Sequence, residues 1–256
     1  MKFLSAVHTD TGIKKETNQD AVLLHEAVMG STPVLFAVIC DGMGGLAKGE
    51  VASASVVQAF DYWFRQVFPF LFRDGGLEEN DLRRSWEQTI FTINDRIQEY
   101  GQVLETHIGT TLVALLIVGD SYYIVNVGDS RVYRVADALE QLTKYQTLVQ
   151  REVDLGQMTV EQARQDPQRN VLLQCIGVTS TIVPDFSFGK AQKDAVYFLC
   201  SDGFRNVVEP GEFFERLHPQ VLTTQQTIMD SIVYLTELNK YRQENDNISV
   251  IAIRTY

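Results

Sequence analysis

The chain has 256 residues, and 45% of them are hydrophobic, which is enough to bury a large core. Its 22 basic and 33 acidic residues give a net charge of −11. This balance argues against a nucleic-acid partner, because a surface that binds nucleic acid needs clustered lysine and arginine. No Pro-, Gly- or Ser-rich linker divides the sequence, so we expect a single domain over 1–256, acting as a monomer.

The sequence also gives no sign of a membrane segment. The longest apolar run, 112–118, is far too short to span a bilayer, and the opening MKFLSAVHTD lacks the apolar core of a signal peptide. The three cysteines, Cys40, Cys175 and Cys200, are odd in number, and two of them lie in apolar runs. We therefore predict buried free thiols and a cytoplasmic protein that does not bind membranes.

Strand patterns occur in both halves of the chain. Short runs rich in β-branched or aromatic residues, each bounded by Gly, Asp or Ser, predict strands at 33–40, 110–118, 121–127, 131–135, 195–200 and 248–254. Tight turns at Gly119-Asp120 and at Gly128-Asp129-Ser130 join three of these runs. Such spacing is typical of an antiparallel meander.

Helical periodicity appears between the strands. Apolar residues recur at steps of three and four over 50–67, 82–100 and 228–238. Gly101 is predicted to end the second of these helices, and 73–80 is predicted to be a loop between the first two. Thr159 and Gln162 have the spacing of a capping box, which predicts a further short helix. Strands grouped together with helices outside them predict an α+β layered sandwich.

Four aspartates stand at the boundaries of apolar runs. Asp41 and Asp202 follow such runs and each precedes a glycine, whereas Asp20 and Asp246 stand before the runs that they open. If these strands are antiparallel neighbours, their ends and beginnings meet at one edge, and the four carboxylates converge there. For each aspartate taken alone, an ordinary turn or loop is the alternative explanation.

A carboxylate at the border of an apolar core is costly unless it is paired or bound to a metal. Oxygen ligands without accompanying His or Cys clusters favour Mg²⁺ over zinc. Two such ions about 3.5–4 Å apart can activate a shared water for in-line attack on phosphorus. This arrangement needs a bridging carboxylate, and Asp41, followed by the permissive segment 42–45 (GMGG), is the candidate.

Six short motifs now carry a family resemblance. They are 12–20 (GIKKETNQD), 41–45 (DGMGG), 109–111 (GTT), 128–131 (GDSR), 201–203 (SDG) and 246–247 (DN). In this order they resemble the bacterial PP2C-type (PPM family) metal-dependent protein serine/threonine phosphatases. The resemblance implies an α+β fold, a four-layer α-β-β-α sandwich of two antiparallel sheets flanked by helices. It also implies an enzyme that acts on phosphorylated proteins and opposes a bacterial Ser/Thr kinase.

The resemblance also implies roles for single residues. Asp41 would bridge two Mn²⁺ or Mg²⁺ ions, and the Gly42 carbonyl would help to bind one of them. Asp202 and Asp246 would bind the first ion, and Asp20 would support the second through water. A hydroxide held between the ions would attack the phosphorus of phosphoserine or phosphothreonine. The positions expected to orient the ligands by hydrogen bonds are Thr110, Asp129, Ser201 and Asn247.

One departure from the family pattern concerns the substrate phosphate. Lys15 stands where the resemblance implies a phosphate-binding arginine. A planar fork able to hold phosphate through two hydrogen bonds is replaced by a mobile point charge. Lys15 is still our candidate for the catalytic phosphate-binding residue, and an exposed loop charge without a role is the alternative.

A second departure lies before the predicted flap, a segment of about 143–172. Tyr145 and Gln146 stand where the family often has Asp and His, and that Asp belongs to a third, labile metal site. A tyrosine hydroxyl is a poor Mg²⁺ ligand, so we expect the third site to be absent. The changes at Lys15 and Tyr145 favour an alternative function, a catalytically weakened module that binds metal and recognises phosphoproteins. The four intact aspartates favour the enzyme.

Overall fold

The computed structural model describes residues 1–44, 48–72, 76–144, 146–169 and 171–256. The strands in these ranges are β1 (Phe3–Asp10), β2 (Ala21–Met29), β3 (Thr32–Cys40), β4 (Gly42–Gly44), β5 (Ile108–Thr110), β6 (Leu112–Val118), β7 (Ser121–Val127), β8 (Arg131–Val135), β9 (Leu139–Gln141), β10 (Asp185–Lys190), β11 (Val196–Cys200) and β12 (Ile248–Thr255). The helices are α1 (Gly49–Tyr62), α2 (Phe68–Leu71), α3 (Glu79–Val103), α4 (Leu148–Asp154), α5 (Val160–Gln165), α6 (Asp202–Arg205), α7 (Pro210–Arg216) and α8 (Gln225–Tyr241). A π-helical turn, Trp63–Val67, joins α1 to α2.

Ten of these strands form two five-stranded antiparallel sheets. One sheet has the order β1-β12-β11-β8-β9 and the other has the order β10-β7-β6-β3-β2, while β4 and β5 pair separately. Each strand sends alternate residues to opposite faces. On β3, Phe36 and Val38 pack under the helices, whereas Leu35 and Ile39 face the other sheet.

Three apolar layers hold the elements together. The two sheets share a core that includes Leu115 and Ile251. Helices α1 and α3 cover the outer face of the second sheet, and α7 and α8 cover the outer face of the first. The predicted four-layer α-β-β-α sandwich is therefore confirmed.

The structure corrects several boundaries. The predicted strand 110–118 is divided at Thr111, because β5 pairs with β4 while β6 pairs with β3 and β7. Gly101 does not end its helix, since α3 continues to Val103. A Cβ at Gly101 would lie 2.8 Å from the Thr106 carbonyl oxygen, so glycine there allows a close approach of the returning chain. The predicted loop 73–80 is also too long, because α3 already begins at Glu79; residues 73–75 lie outside the described ranges.

The cysteine prediction is confirmed. Cys40, Cys175 and Cys200 are free and buried. Burial raises the pKa of the Cys200 thiol to about 12, so this thiol stays protonated and unreactive at neutral pH. Within the ranges that the structure describes, no helix has both the length and the apolar character needed to cross a membrane.

An aromatic cluster fixes α1 and α3 to the second sheet. The Phe36 ring on β3 lies 5.2–6.5 Å, between ring centroids, from those of Phe60, Trp63, Phe64 and Trp86. Stacked and tilted rings at such separations add to the free energy gained by burying their area. This cluster holds α1, whose first turn borders the site described below.

We expect the substitution Phe36→Ala to lower the free energy of unfolding by about 3–5 kcal/mol, because it leaves a cavity among packed rings. The matched control is Phe70→Ala, since the Phe70 ring is 66% exposed and its loss is expected to cost no more than about 0.5 kcal/mol. Denaturant unfolding of both variants in EDTA measures the difference. Equal losses would contradict the assignment of Phe36 to the centre of this core.

Candidate metal centre

Strand register brings the four predicted aspartates to one end of the sandwich. Ala21 pairs with Cys40 at the end of the β2–β3 ladder, so Asp20, directly before β2, and Asp41, directly after β3, lie at the same end. Cys200 pairs with Val250 on β11 and β12, and Asp202 and Asp246 lie beyond that end. Burial, and after it the negative charges of neighbours that include Asp20, Asp202 and Asp246, raise the pKa of Asp41, so the two pairs of carboxylates lie close together.

Asp202 is buried, Asp20 and Asp41 are partly buried, the side chain of Asp246 is 37% exposed, and their charges repel one another. Burial is the largest cause of the raised pKa of Asp20, which lies at about 6. Burial, and then the charge of Asp129, raise the pKa of Asp202 to about 7. The same two effects, burial followed by neighbouring carboxylates, raise the pKa of Asp41 well above its usual range. The protein therefore concentrates negative charge where water screens it only in part.

Several carboxylate oxygens in this cluster have no partner within the described residues. Both oxygens of Asp20 and the Oδ1 atom of Asp202 are buried without a hydrogen bond of normal geometry, although the hydroxyls of Ser249 and Ser201 lie near enough to Asp20 to act against its raised pKa. Buried polar atoms are almost always satisfied, so these atoms point to a missing cation or water. Across the described ranges, no three acidic, His or Cys side chains surround a single point closely enough to hold an ion by themselves. This donor set fits hard cations that keep several waters and take one or two carboxylates each.

Gly42 occupies a position that only glycine can fill. A Cβ there would lie 2.4 Å from the carbonyl oxygens of both Gln19 and Gly49. The Gly42 N–H donates to the Gln19 carbonyl at 3.2 Å, and the Ser53 hydroxyl on α1 donates to the same carbonyl at 2.6 Å. The chain that carries Asp20 is thus tied to the backbone after Asp41 and to the first turns of α1.

Threonines on the β5–β6 segment hold the backbone of Asp41. The Thr110 hydroxyl donates to the Asp41 carbonyl at 2.9 Å. The Asp41 N–H donates to the Thr111 hydroxyl at 3.0 Å, and the Thr111 N–H donates to the Asp41 carbonyl at 2.9 Å. Sequence reasoning named Thr110 and missed Thr111, although both belong to the same short motif. The break between β5 and β6 exists because Thr111 uses its backbone to bond Asp41.

Asn247 and Ser201 fix backbone around the cluster. The Asn247 amide accepts from the Gln19 N–H at 2.9 Å and donates to the carbonyls of Thr11 and Thr17 at 2.9 and 3.1 Å. The Ser201 hydroxyl accepts from the Ser249 N–H at 3.0 Å. Asn247 therefore ties the loop before β2, including Lys15, to the start of β12.

Lys15 lies at the rim of the cluster. Its Nζ atom is 2.7 Å from Oδ1 of Asp246, and its side chain is 39% exposed. Partial burial acts to lower the pKa of Lys15, but the hydrogen bond and the charge of Asp246 outweigh it and raise that pKa. Lys15 is therefore charged at neutral pH and faces both the carboxylates and solvent.

Asp129 has a partner that sequence reasoning missed. Its Oδ2 atom lies 3.0 Å from Nη2 of Arg205, and the two side chains are only 7% and 13% exposed. Arg205 ends the single turn α6 that Asp202 begins. Residues three apart on a helix share a face, so the available signal was an arginine three positions after the motif aspartate.

The flap is a segment that leaves the sheets and returns to them. Thr147 and Leu172 form a β-bridge at its base, and it contains α4 and α5. The predicted capping box of Thr159 and Gln162 is confirmed at the start of α5. Tyr145, on which the prediction of a missing third metal site rests, lies outside the described residues, as does Gly45 of the DGMGG motif.

Comparison with known families decides the assignment. A family model described as Protein phosphatase 2C matches residues 10–236, which is most of the chain. The chain belongs to the protein phosphatase 2C family. The resemblance inferred from the six motifs is confirmed.

Relatives of this phosphatase 2C chain are similar over nearly its whole length. The serine/threonine phosphatase stp of Listeria innocua is 30% identical over 249 residues, which cover 96% of this chain and 93% of the relative. The crystal structure of the S. agalactiae serine/threonine phosphatase matches all of both chains with a TM-score of 0.83 and 29% identity. The catalytic domain of PstP in complex with two manganese ions has a TM-score of 0.78 and 28% identity, and the match covers 98% of this chain and 97% of that domain. The predicted enzyme class, a protein serine/threonine phosphatase, is confirmed, and the alternative of a non-catalytic module is not favoured.

The raised pKa values predict how the metal-free phosphatase responds to pH. An unfolded aspartate has a pKa of about 3.9, so the folded protein binds more protons between about pH 4 and pH 7. Stability from the protonated cluster is complete below this range and is lost as the pH rises through the pKa values of Asp20 (about 6) and Asp202 (about 7). In EDTA we expect the melting temperature to fall across this range, by about 2–4 °C for each kcal/mol lost.

Asp202→Asn is expected to reduce that fall, because one of the repelling charges is removed. Asp120→Asn is the matched control, since the Asp120 side chain is 80% exposed and lies outside the cluster. Thermal melts at several pH values measure both variants. A melting temperature that rises toward pH 7 in EDTA, or the same pH response in both variants, would contradict the repulsion.

Proposed function

We propose that the chain hydrolyses phosphoserine and phosphothreonine in proteins, with two Mn²⁺ or Mg²⁺ ions held by the aspartate cluster. The observation that carries this proposal is the gathering of partly buried, mutually repelling carboxylates, some with oxygens that lack a normal hydrogen bond, at one end of a phosphatase 2C fold. When bound, the cations supply an activated water for direct attack on phosphorus. The donors are oxygen atoms, as hard cations require.

Each aspartate has a role in this proposal. Asp41 would hold both ions, since its carboxylate lies among the three others and its backbone is fixed on both sides. The Gly42 carbonyl and Asp20 would support one ion. Asp202 and Asp246 would hold the other. Four further residues keep this geometry through their hydrogen bonds: Thr110, Asp129, Ser201 and Asn247.

Lys15 is proposed to bind the substrate phosphate. Its ammonium group contacts Asp246, which is one of the proposed metal ligands. With Asp246 engaged by a cation, the half-exposed ammonium group of Lys15 would be free to turn toward a phosphate at the rim. As a point charge it attracts phosphate without fixing its orientation, unlike a bidentate arginine.

The wider function follows from the same proposal. The substrates are phosphorylated proteins in the cytoplasm, and the phosphatase opposes a Ser/Thr kinase. We propose that 1–256 act as one monomeric catalytic domain, in which the flap, about 143–172, borders the substrate. We also propose that the site works with two ions and without a third.

Substitution of the central ligands tests the enzyme. We expect Asp41→Asn and Asp202→Asn to lower Mn²⁺-dependent hydrolysis of a phosphothreonine peptide by at least about 10²-fold, since the activated water is lost with the ions. Asp120→Asn, on the exposed surface, is expected to keep full activity. Calorimetric titration with Mn²⁺ shows whether binding is lost together with turnover. Metal binding by the unsubstituted protein without any turnover would instead identify a binding module.

Exchange of Lys15 tests the phosphate role. Lys15→Arg is expected to leave turnover unchanged or to improve it, because a guanidinium can hold phosphate through two hydrogen bonds. Lys15→Met is expected to raise KM about tenfold or more through the loss of the charge, with a smaller effect on kcat. Steady-state kinetics of both variants provide the measurement. A large loss of activity in Lys15→Arg would show that this position does not bind the phosphate.

A further inference from the structure

A buried arginine lies beside the proposed metal centre. The Nη2 atom of Arg205 donates to Asp129 Oδ2 at 3.0 Å and more weakly to the Asp129 carbonyl at 3.4 Å, and Nη1 donates to Asn206 Oδ1 at 3.3 Å. Its Nε atom is buried and has no hydrogen-bond partner in the described part of the chain. At 13% exposure the side chain is too enclosed to meet a phosphoprotein. Its role therefore concerns the groups around it.

Those groups are mainly negative. Asp129 and Asp202 are both buried acidic residues. Asp202 and Arg205 stand at the two ends of α6, and Asp129 leads into β8 beside β11. Arg205 is thus paired with one buried carboxylate, Asp129, beside a second, Asp202, which keeps an oxygen, Oδ1, that accepts no hydrogen bond from the described residues.

We propose that Arg205 is a built-in cation that takes the place of a divalent ion along the edge formed by Asp129 and Asp202. With Arg205 present, this edge carries a net charge of about −1 and has no need of an ion of its own beyond the proposed pair. Without Arg205 the same edge carries a net charge of about −2 in a buried setting, which favours the binding of an additional dication. Arg205 acts in this way as a positioning residue that keeps the centre at two ions.

A purely structural ion pair is the competing explanation. In that case Arg205 only anchors the turn before β8 to α6, and its loss lowers stability without changing how metal binds. Breaking a buried pair is destabilising in either case, because it leaves an uncompensated charge. Stability alone cannot separate the two, whereas the number of bound ions can.

The test counts Mn²⁺ bound to the full chain by equilibrium dialysis and calorimetry. We expect about two ions for the unsubstituted protein and about three for Arg205→Met, the additional one weakly bound, because the buried edge gains a negative charge. Arg205→Lys keeps the charge and is expected to stay at about two. The double variant Arg205→Met/Asp129→Asn removes both charges of the pair and is also expected to return to about two.

A further variant keeps the test decisive if Arg205→Met does not fold. In Asp129→Asn the charge of Arg205 is no longer compensated, so Mn²⁺ affinity is expected to fall about tenfold, and the double variant is expected to restore it. Unchanged stoichiometry in folded Arg205→Met, or unchanged affinity in Asp129→Asn, overturns the inference.

The inference rests on the proposed two-ion site, so the unsubstituted protein is the reference. If it binds no Mn²⁺, the proposed function itself fails; if it binds two ions, only the role of Arg205 is at stake.

Discussion

The repulsion between partly buried carboxylates at one end of the two sheets is the constraint on which the site depends. Burial raises the pKa of Asp20, Asp41 and Asp202, and each charge raises the pKa of its neighbours. Such an arrangement destabilises the fold in the absence of cations, and it persists only because the surrounding structure is rigid enough to hold it. The rigidity comes from four-layer packing, in which strand ends cannot separate without opening a core.

The supports of this cluster are mostly backbone contacts. Gln19 receives bonds from the Gly42 N–H and the Ser53 hydroxyl, and its own N–H donates to Asn247. A single residue between Asn18 and Asp20 thus joins β2, β4, α1 and the start of β12. Asp41 is held in a similar way by Thr110 and Thr111. Because both sheets contribute, the spacing between their aspartates is set by the packing of the whole sandwich.

The sequence predicted the centre of each sheet well and the edges poorly. All six predicted strands correspond to interior positions, where both faces are buried and the apolar signal is strong. The edge strands β1, β9 and β10 were not predicted, because they have a single neighbour and remain partly exposed. The four aspartates were predictable because strand ends are marked by glycine and by abrupt changes of polarity. Arg205 was not, since its role depends on Asp129, 76 residues away.

Two cations of this chain stand at different depths beside the carboxylate cluster, each paired with a different aspartate. Lys15 is at the rim, on a loop, and its contact with Asp246 is open to solvent. Arg205 is enclosed, and it holds Asp129 through a planar group that loses little freedom when it binds. An exposed, flexible ammonium group can leave its carboxylate partner when a metal or a phosphate binds, whereas a buried guanidinium stays in place. In the proposed enzyme, Lys15 at the rim is therefore suited to binding the substrate phosphate. The buried Arg205 sets the electrostatic environment in which the ions bind.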